Sequence, residues 1–458
     1  ILRCKNMFAL GIMYFLFDRS TEPTENFLKT KFRNKPVLVE ANLKALHAGY
    51  SFAITIEALP SIYKVPPAKI KKGKYRHISG NQAIAWGFMA AAEKMGKRLF
   101  YGSYPITPAS DILHELVKYK SMGVITLQAE DEIAAVCSAI GASYAGQLGV
   151  TASSGPGLAL KGEAINLAIM AEIPVVIVDV QRGGPSTGLP TKTEQADLNI
   201  ALFGRNSESP AIVIASSTPS NCFNYAYEAI KLSFEHMTPV ILLSDGYLAN
   251  GSEPWRYPTM ADLPDIKIPE PKLNGKEFRP YERDNKTLAR YWVVPGTKGL
   301  EHRIGGLEKE ELTGNVSYES KNHEKMVMIR EEKVARVANF IPELNVKGDT
   351  SGPLLVVGWG STYGSLLTAT KELQIEGREV SLAHFNYLNP LPKNTEELLS
   401  QFDKILVCEL NRGQFCNYLK SNFPKLDYES YTKVQGQPFM VAEIKDKMIS
   451  VLDQQVTV

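Results

Sequence analysis

The stretch GVTASSGPGLALKGEAINLAIMAEIPVVIVDVQRGGP, residues 149–185, decides the fold class. An apolar, strand-like run ends in two serines, and a Gly-Pro-Gly turn leads into a helix-like segment. A second apolar run, rich in β-branched residues, then ends in another glycine-rich turn. Such runs, separated by helices, are typical of parallel strands in a sheet that helices cover on both faces. The stretch therefore predicts an α/β fold.

The same alternation divides the chain into four predicted regions. Residues 1–72 show helical segments without strands and end in a basic, proline-containing linker. Residues 73–255 form a first α/β domain, and residues 351–458 form a second, smaller one. Residues 256–350, between them, are rich in charge, proline and glycine. We expect this connector to be irregular and to run over the surface, because irregular backbone in a core leaves polar groups unpaired.

An apolar run, MFALGIMYFLF at residues 7–17, lies near the start of the chain. It is too short to span a bilayer, and no small-residue cleavage site follows it, as a signal peptide would require. We therefore predict a buried helix. Because residues 1–72 show no strand pattern, we expect them to be the end of a domain whose body lies upstream, and the start at Ile1 rather than Met leads us to expect a fragment.

Composition restricts the partners and the location. The 51 basic and 49 acidic residues leave a formal net charge of +2, which gives no reason to expect a nucleic acid or an acidic membrane as partner. The five cysteines are scattered without a CxxC pair, which favours a reducing, cytoplasmic location and argues against an iron–sulfur cluster held by this chain. The seven histidines show no metal-ligand spacing, so no metal site is predicted.

Three consecutive acids precede a helix-like segment in QAEDEIAAVCSAIGASYAG, residues 128–146. Acidic side chains are favoured at a helix N-terminus by the helix dipole, which explains Glu130 and Asp131. Glu132 directly precedes the apolar run, and we expect its side chain to point along the packed face. The alanines and Gly141 that follow are small enough to let a neighbouring helix or subunit approach closely.

Three further motifs follow apparent strands: YGSYPITPAS at 101–110, SSGPG at 153–157 and QRGGPSTGLPT at 181–191. Open α/β sheets bind ligands at the carboxyl ends of their strands. Glycines permit close backbone approach, and a helix N-terminus offers free N–H groups to an anion or a polar ring. Arg182 is suited to bind a carboxylate in bidentate fashion, and the alternative is a solvated charge on a surface loop.

Together, YPITPAS, EDEIAAVCSAIGAS, TASSGPGLALKGEA and QRGGPSTGLPTKTEQADL resemble the alpha subunits of 2-oxoacid:ferredoxin oxidoreductases, most closely the 2-oxoglutarate enzymes. The resemblance implies a thiamin-diphosphate pyrimidine-binding domain at 73–255. GWGSTYG and LNPLP resemble the family's transketolase C-terminal-like domain, which implies that fold for 351–458. KNMFALG and EANLKALHAGY resemble the end of the gamma domain that some members fuse ahead of alpha. This implies a gamma–alpha fusion truncated at its N-terminus.

The resemblance gives Glu132 a catalytic role and a contact with the cofactor. In thiamin enzymes a glutamate hydrogen-bonds the aminopyrimidine ring and so helps to deprotonate the thiazolium carbon, which requires a carboxyl shielded from water. Gly141, nine residues after Glu132, matches the spacing of the family pattern. Glu130 is the alternative for this role.

Further site residues follow from the same resemblance. Ile106 and Thr107 match cofactor-binding positions, and Ser154 and Gly155 match the pocket wall beside the aminopyrimidine. Thr107 and Arg182 match the substrate-binding positions, with Arg182 placed to bind the carboxylate of a 2-oxoacid.

The implied reaction is oxidative decarboxylation of 2-oxoglutarate with coenzyme A to succinyl-coenzyme A, carbon dioxide and reduced ferredoxin. This is tricarboxylic-acid-cycle chemistry, which reduced ferredoxin can also drive in reverse. The sequence shows neither a GDG-type diphosphate–metal motif nor cluster cysteines. By resemblance, a beta subunit carries thiamin diphosphate's Mg²⁺ and a [4Fe-4S] cluster, and the enzyme is a dimer of alpha–beta pairs that reduces ferredoxin.

Three alternatives stay open. The first keeps the chemistry and changes the substrate to pyruvate or to a branched or aromatic 2-oxoacid. The second is a non-catalytic assembly subunit that has kept the fold. The third is a Rossmann-type nucleotide-binding module, which the sequence disfavours because no GxGxxG follows the first strand. Contacts with coenzyme A are not assigned to any residue.

Overall fold

A computed structural model describes residues 4–56, 61–271 and 277–455 of the chain. The chain divides into two compact units, residues 1–73 and residues 74–458. The helices of the first unit are α1 (Lys5–Leu16), α2 (Glu22–Lys31) and α3 (Pro36–Thr55).

Two glycines allow α1 and α3 to cross with their backbones in contact. A Cβ atom at Gly11 would overlap the carbonyl oxygen of Leu46, and one at Gly49 would overlap that of Phe8. Larger residues at these two positions would therefore force the helices apart.

The predicted helix over residues 7–17 is present as α1, but the expectation that it is buried is wrong for most of its side chains. Gly11 is its one buried residue, and Met13 is 46% exposed. The reason is that α1 packs on α3, and one helix can cover only one face of another. No helix in the described part of the chain is long and apolar enough to cross a membrane.

The second unit alternates strands and helices. Its strands are β1 (Tyr75–Ser79), β2 (Leu99–Ser103), β3 (Ile125–Gln128), β4 (Leu148–Ser153), β5 (Val176–Gln181), β6 (Ile212–Ala215), β7 (Val240–Asp245), β8 (Ser252–Arg256), β9 (Val346–Lys347), β10 (Gly352–Trp359), β11 (Val380–Phe385), β12 (Tyr387–Asn389), β13 (Phe402–Glu409) and β14 (Tyr428–Thr432). Its helices are α4 (Gly80–Met95), α5 (Ser110–Leu116), α6 (Glu132–Tyr144), α7 (Gly155–Leu160), α8 (Gly162–Ala171), α9 (Leu198–Phe203), α10 (Asn221–His236), α11 (Gly246–Asn250), α12 (Ser320–Arg336), α13 (Tyr363–Ile375), α14 (Thr395–Leu399), α15 (Gln414–Asn422) and α16 (Val441–Gln455).

The larger sheet has the strand order β12-β6-β7-β5-β4-β2-β3. Its strands are parallel except β12, which runs antiparallel to β6. Every residue of β4, β5, β6 and β7 is buried, as continuous apolar runs predict. Helices α4, α5 and α10 pack on one face, and α6 and α8 pack on the other. The predicted α/β fold with a parallel sheet covered on both faces is confirmed.

The smaller sheet has the order β14-β13-β10-β11-β9, with β9 antiparallel to its neighbour. Side chains of β10 and β11 share one hydrophobic core with β5 and α6 of the larger sheet. In addition, β12 belongs to the C-terminal region by sequence and to the larger sheet by pairing. The two α/β parts are thus joined by a common core, and the sequence boundaries near residues 73, 256 and 351 stay predictions.

The connector contains a helix that the sequence analysis missed. α12 spans seventeen residues, and its Met326 and Val334 are buried. The prediction of an irregular segment is therefore wrong for this stretch. The apolar spacing is hard to see in the sequence because two charged residues of the same helix, Arg330 and Lys333, are also buried.

Candidate active site

The carboxyl ends of β3, β2, β4 and β5 lie side by side at one edge of the larger sheet. Each is followed by one of the motifs that the sequence singles out: the acids after β3, YPITPAS after β2, SSGPG at the end of β4 and QRGGP at the end of β5. Because these strands are parallel, the four motifs meet at the same edge. We identify this edge as the candidate active site.

The three acids before α6 have different environments. Asp131 caps the helix, since its Oδ1 accepts a hydrogen bond from the Ala134 N–H at 2.8 Å. Glu130 and Asp131 are exposed, as expected for acids that complement a helix N-terminus. Glu132, the first residue of α6, is only 8% exposed. Of the three acids, Glu132 is the one whose side chain is inside the protein.

The SSGPG turn packs directly on Glu132. A Cβ atom at Gly157 would lie 2.9 Å from Glu132 Cγ and would overlap the Ser153 hydroxyl. At Gly155, a Cβ atom would lie 2.6 Å from Asp197 Oδ1. Because glycine has no side chain, the turn can lie close to the side chains of Glu132 and Asp197.

Two serine hydroxyls at this turn are buried without a partner. Ser153 and Ser154 are 0% exposed, and within the described residues neither hydroxyl makes a hydrogen bond. Buried polar groups in folded proteins are normally paired. The two hydroxyls, together with the N-terminus of α7 that follows them, are therefore available to a polar ligand.

The structure brings Arg182 and Thr107 together. Arg182 is 7% exposed, and its Nη1 donates a hydrogen bond to the Thr107 carbonyl oxygen at 2.7 Å. Thr107 itself is exposed and Ile106 is half-buried. The alternative that Arg182 is a solvated surface charge is wrong, because β5 ends at Gln181 and holds the arginine at the buried edge of the sheet.

Three charged residues at this edge were not predicted, of which two are fully buried and Asp197 is half-buried. Lys161 and Asp179 are 0% exposed, and Asp197 approaches Gly155 as described. Burial, and then the neighbouring Asp197, raises the pKa of Asp179 well above its ordinary value. Burial also raises the pKa of Asp197, to about 6. Burial lowers the pKa of Lys161 to about 8, although Glu132, Asp179 and Asp131 oppose this change.

A signal for two of these residues was present in the sequence. Lys161 interrupts the apolar segment LALKGEAINLAIMA, and Asp179 interrupts VVIVDV. A charged residue inside a buried run is costly unless it is paired, so it marks a functional or structural interaction. Asp197 lies in a loop before α9 and carries no such signal.

The second α/β part holds the segment that carries Asp197. Gln195 is fully buried, and its Nε2 donates to the Trp359 carbonyl oxygen at 2.7 Å, while its Oε1 accepts from the Leu410 N–H at 3.0 Å. Asn411 Nδ2 donates to the Gln195 carbonyl oxygen at 2.8 Å. The segment beside the candidate site is thus fixed by the last residue of β10 and by the loop after β13.

The chain has clear relatives. A family model described as pyruvate flavodoxin/ferredoxin oxidoreductase, thiamine diphosphate-binding, matches residues 91–321. The 2-oxoglutarate oxidoreductase subunit KorA of Mycobacterium tuberculosis is 50% identical over 96% of this chain and 67% of its own length. The 2-oxoacid:ferredoxin oxidoreductase subunit alpha of Saccharolobus solfataricus is 32% identical over 99% of this chain and 72% of its own length.

A solved structure is similar over nearly the whole chain. It is the 2-oxoglutarate:ferredoxin oxidoreductase from Magnetococcus marinus with 2-oxoglutarate, coenzyme A and succinyl-CoA bound. The TM-score is 0.91 at 32% sequence identity, over 98% of this chain and 77% of that one. By these similarities, and by the arrangement of its four motifs, the chain belongs to the alpha subunits of the 2-oxoacid:ferredoxin oxidoreductase family.

Proposed function

We propose that this chain is the alpha subunit of a thiamin-diphosphate-dependent 2-oxoglutarate:ferredoxin oxidoreductase. The enzyme oxidatively decarboxylates 2-oxoglutarate with coenzyme A and yields succinyl-coenzyme A, carbon dioxide and reduced ferredoxin. The observation that carries the proposal is the Glu132 side chain, which is only 8% exposed and packs against the SSGPG turn at the carboxyl edge of the sheet. The names of the Mycobacterium relative and of the Magnetococcus structure support 2-oxoglutarate as the substrate.

The residues at this edge fit the aminopyrimidine end of thiamin diphosphate. Gly155 and Gly157 have no side chains that could block a ring beside the turn. The hydroxyls of Ser153 and Ser154 are unpaired within the described residues. When bound, the cofactor supplies a carbon nucleophile for the 2-oxo group and an electron sink for decarboxylation. Glu132 would hold and move the proton at the ring nitrogen. The low exposure of Glu132 limits the access of water to its side chain, and such shielding strengthens an electrostatic contact.

Substrate binding is proposed for Arg182 and Thr107. The Arg182 Nε has no partner among the described residues, and Nη1 is already oriented by the Thr107 carbonyl oxygen. A guanidinium held in this way can offer its remaining donors to the carboxylate of a 2-oxoacid. Ile106, half-buried beside Thr107, would contact the cofactor.

The partner proposal follows from α6. Ile133 is 48% exposed, Cys137 and Gly141 are also exposed, and a Cβ atom at Gly141 would meet nothing within 4 Å. This face adjoins Glu132 and suits close packing of a second chain. We propose that a beta subunit docks here with the diphosphate, its Mg²⁺ and a [4Fe-4S] cluster, and that the assembly passes electrons to ferredoxin in the cytoplasm.

The test is a pair of matched substitutions in the enzyme reconstituted with its beta subunit. We expect Glu132→Gln to lower kcat by at least about 100-fold, the usual contribution of a positioned acid–base group. We expect Glu130→Gln, at the exposed position, to stay within about threefold of the native rate, since exposed substitutions have small effects. Equal effects of the two substitutions would contradict the assignment of Glu132.

The substrate is tested on the unmodified enzyme. Ferredoxin reduction is followed with 2-oxoglutarate, pyruvate, and a branched and an aromatic 2-oxoacid at equal concentrations. We expect 2-oxoglutarate to give the highest kcat/KM. A rate with pyruvate equal to or above that with 2-oxoglutarate would overturn the substrate assignment. No thiamin-dependent turnover with any of these acids would favour the non-catalytic assembly subunit.

A further inference from the structure

We propose that Lys161 is a positioning residue that fixes the first turn of α6, and with it the Glu132 carboxyl. The carboxyl groups nearest to it in effect are those of Glu132 and Asp179, and Asp197 interacts in turn with Asp179. The inference rests on the proposed function only where it concerns the cofactor, since the contact between Lys161 and α6 belongs to this chain alone.

The contact itself is direct. Lys161 Nζ donates a hydrogen bond to the Glu132 carbonyl oxygen at 3.2 Å. The backbone of Lys161 is held on both sides, because its N–H donates to the Gly157 carbonyl at 3.1 Å and its carbonyl accepts from the Ile165 N–H at 3.0 Å. The lysine therefore ties the α7–α8 junction to the first residue of α6.

The position of Lys161 is unusual for a structural lysine. Its side chain is 0% exposed, and an ammonium group in the interior is costly unless charges of opposite sign surround it. Burial lowers the pKa of Lys161, and the carboxyl groups of Glu132, Asp179 and the exposed cap residue Asp131 oppose this change.

Asp179 and Asp197 form an interacting pair of carboxyl groups. Burial, then the charge of Asp197 and a side-chain hydrogen bond with it, raises the pKa of Asp179, and Lys161 opposes this rise. Burial also raises the pKa of Asp197, and Arg182 opposes that rise. The charge of Lys161 therefore favours the ionised form of the Asp179 carboxyl.

The consequence for catalysis is geometric. The first turn of α6 is held by the Asp131 cap and by Lys161, and Glu132 lies in close contact with the Gly157 backbone. Without the lysine, the carbonyl of Glu132 loses its buried donor and the carboxyl is free to shift. A shift of about 1 Å in a catalytic group can lower the rate by about 100-fold.

The first experiment measures amide hydrogen–deuterium exchange by mass spectrometry in the purified alpha chain without cofactor. Lys161→Met removes the charge and keeps the length of the side chain, and Lys161→Arg keeps the charge. We expect Lys161→Met to accelerate exchange across residues 131–136 at least about tenfold. Exchange in α10, which does not touch Lys161, should be unchanged, and Lys161→Arg should stay within about threefold of the native rate.

The second experiment uses the reconstituted holoenzyme and reports on the cofactor. Deuterium exchange at the thiazolium carbon, read by NMR after acid quench, should slow at least about tenfold in Lys161→Met, with the affinity for thiamin diphosphate changed less than about threefold. If Lys161→Met does not fold, Lys161→Gln, which keeps an N–H donor, is measured instead.

The outcomes separate the two proposals. Unchanged amide exchange across residues 131–136 in Lys161→Met would overturn the positioning role, whatever the enzyme does. A different result would overturn the proposed function alone. In that case Lys161→Met accelerates amide exchange as expected, but the unmodified holoenzyme shows no deuterium exchange at the thiazolium carbon. A loss of exchange protection spread equally over α6 and α10 would show a general loss of stability and would also overturn the inference.

Discussion

Substitution of Gly157 by alanine is the sharpest test of the geometry at the active site. The added methyl carbon would lie 2.9 Å from Glu132 Cγ, whereas ordinary carbon contacts begin near 3.4 Å. Glu132 would therefore have to withdraw by about 0.5 Å, and a close-packed interior offers little slack for this. The Ser153 hydroxyl, which is fully buried, would have to rotate away as well.

Two magnitudes follow from this crowding. Overpacking of a well-packed interior costs about 1–3 kcal/mol, so we expect the free energy of unfolding of Gly157→Ala to fall by that amount. If Glu132 has the proposed catalytic role, displacement of its carboxyl should lower kcat by about 10- to 100-fold, with a smaller change in KM. Because Gly157 lies in a helix at ordinary backbone angles, the loss cannot come from backbone strain.

The assays are denaturant unfolding of the alpha chain and 2-oxoglutarate-dependent ferredoxin reduction by the reconstituted enzyme. The matched control is Gly364→Ala in α13, where a Cβ atom would meet nothing within 4 Å. Alanine there should leave the rate unchanged and stabilise the helix by about 0.5–1 kcal/mol. If Gly157→Ala kept both its stability and its rate at the level of this control, the close contact between the SSGPG turn and Glu132 would be refuted.

Two further predictions concern the buried ion pairs and the partner face. Burial alone would raise the pKa of Glu172, but Arg283 and Lys333 beside it hold this pKa well below its ordinary value. Its contribution to stability is therefore present above about pH 4.5 and lost as the pH falls below that value. Glu172→Gln should lower the free energy of unfolding at pH 7 by about 3–5 kcal/mol and flatten its decline in acid; an unchanged acid profile would contradict this. Gly141→Ala should stabilise the isolated alpha chain by about 0.5–1 kcal/mol and weaken its affinity for the beta subunit by about tenfold, and an unchanged affinity would remove α6 from the interface.

The parallel sheet and its functional edge could be predicted from the sequence. Continuous β-branched runs become strands buried on both faces, so the local pattern and the tertiary environment agree. The turns after these runs must then lie at one edge, because parallel strands end on the same side. The sequence analysis placed YPITPAS, SSGPG and QRGGP at the carboxyl ends of strands, and the structure brings them together with the acids after β3. The roles of the individual site residues stay predictions.

Other features depend on contacts between distant segments. The sequence treats residues 351–458 as separate, yet Tyr387–Asn389 pairs with β6 of the larger sheet. α12 was missed because its buried face includes Arg330 and Lys333, whose partners Glu308 and Glu172 lie elsewhere in the chain. A periodicity argument assumes that buried positions are apolar, and it fails where distant acids allow buried charges.

The acids at 130–132 separate what the local sequence determines from what the tertiary structure decides. The sequence by itself determined that a helix begins there, that Asp131 suits its cap, and that small residues follow, since these are properties of neighbouring residues. Only the tertiary structure decided that Glu130 is exposed while Glu132 packs in the interior against Gly157. It also decided that Lys161 donates a hydrogen bond to the Glu132 carbonyl oxygen. The physical reason is that burial and pairing of a charge depend on which strand and turn pack beside it, and no local pattern contains that information.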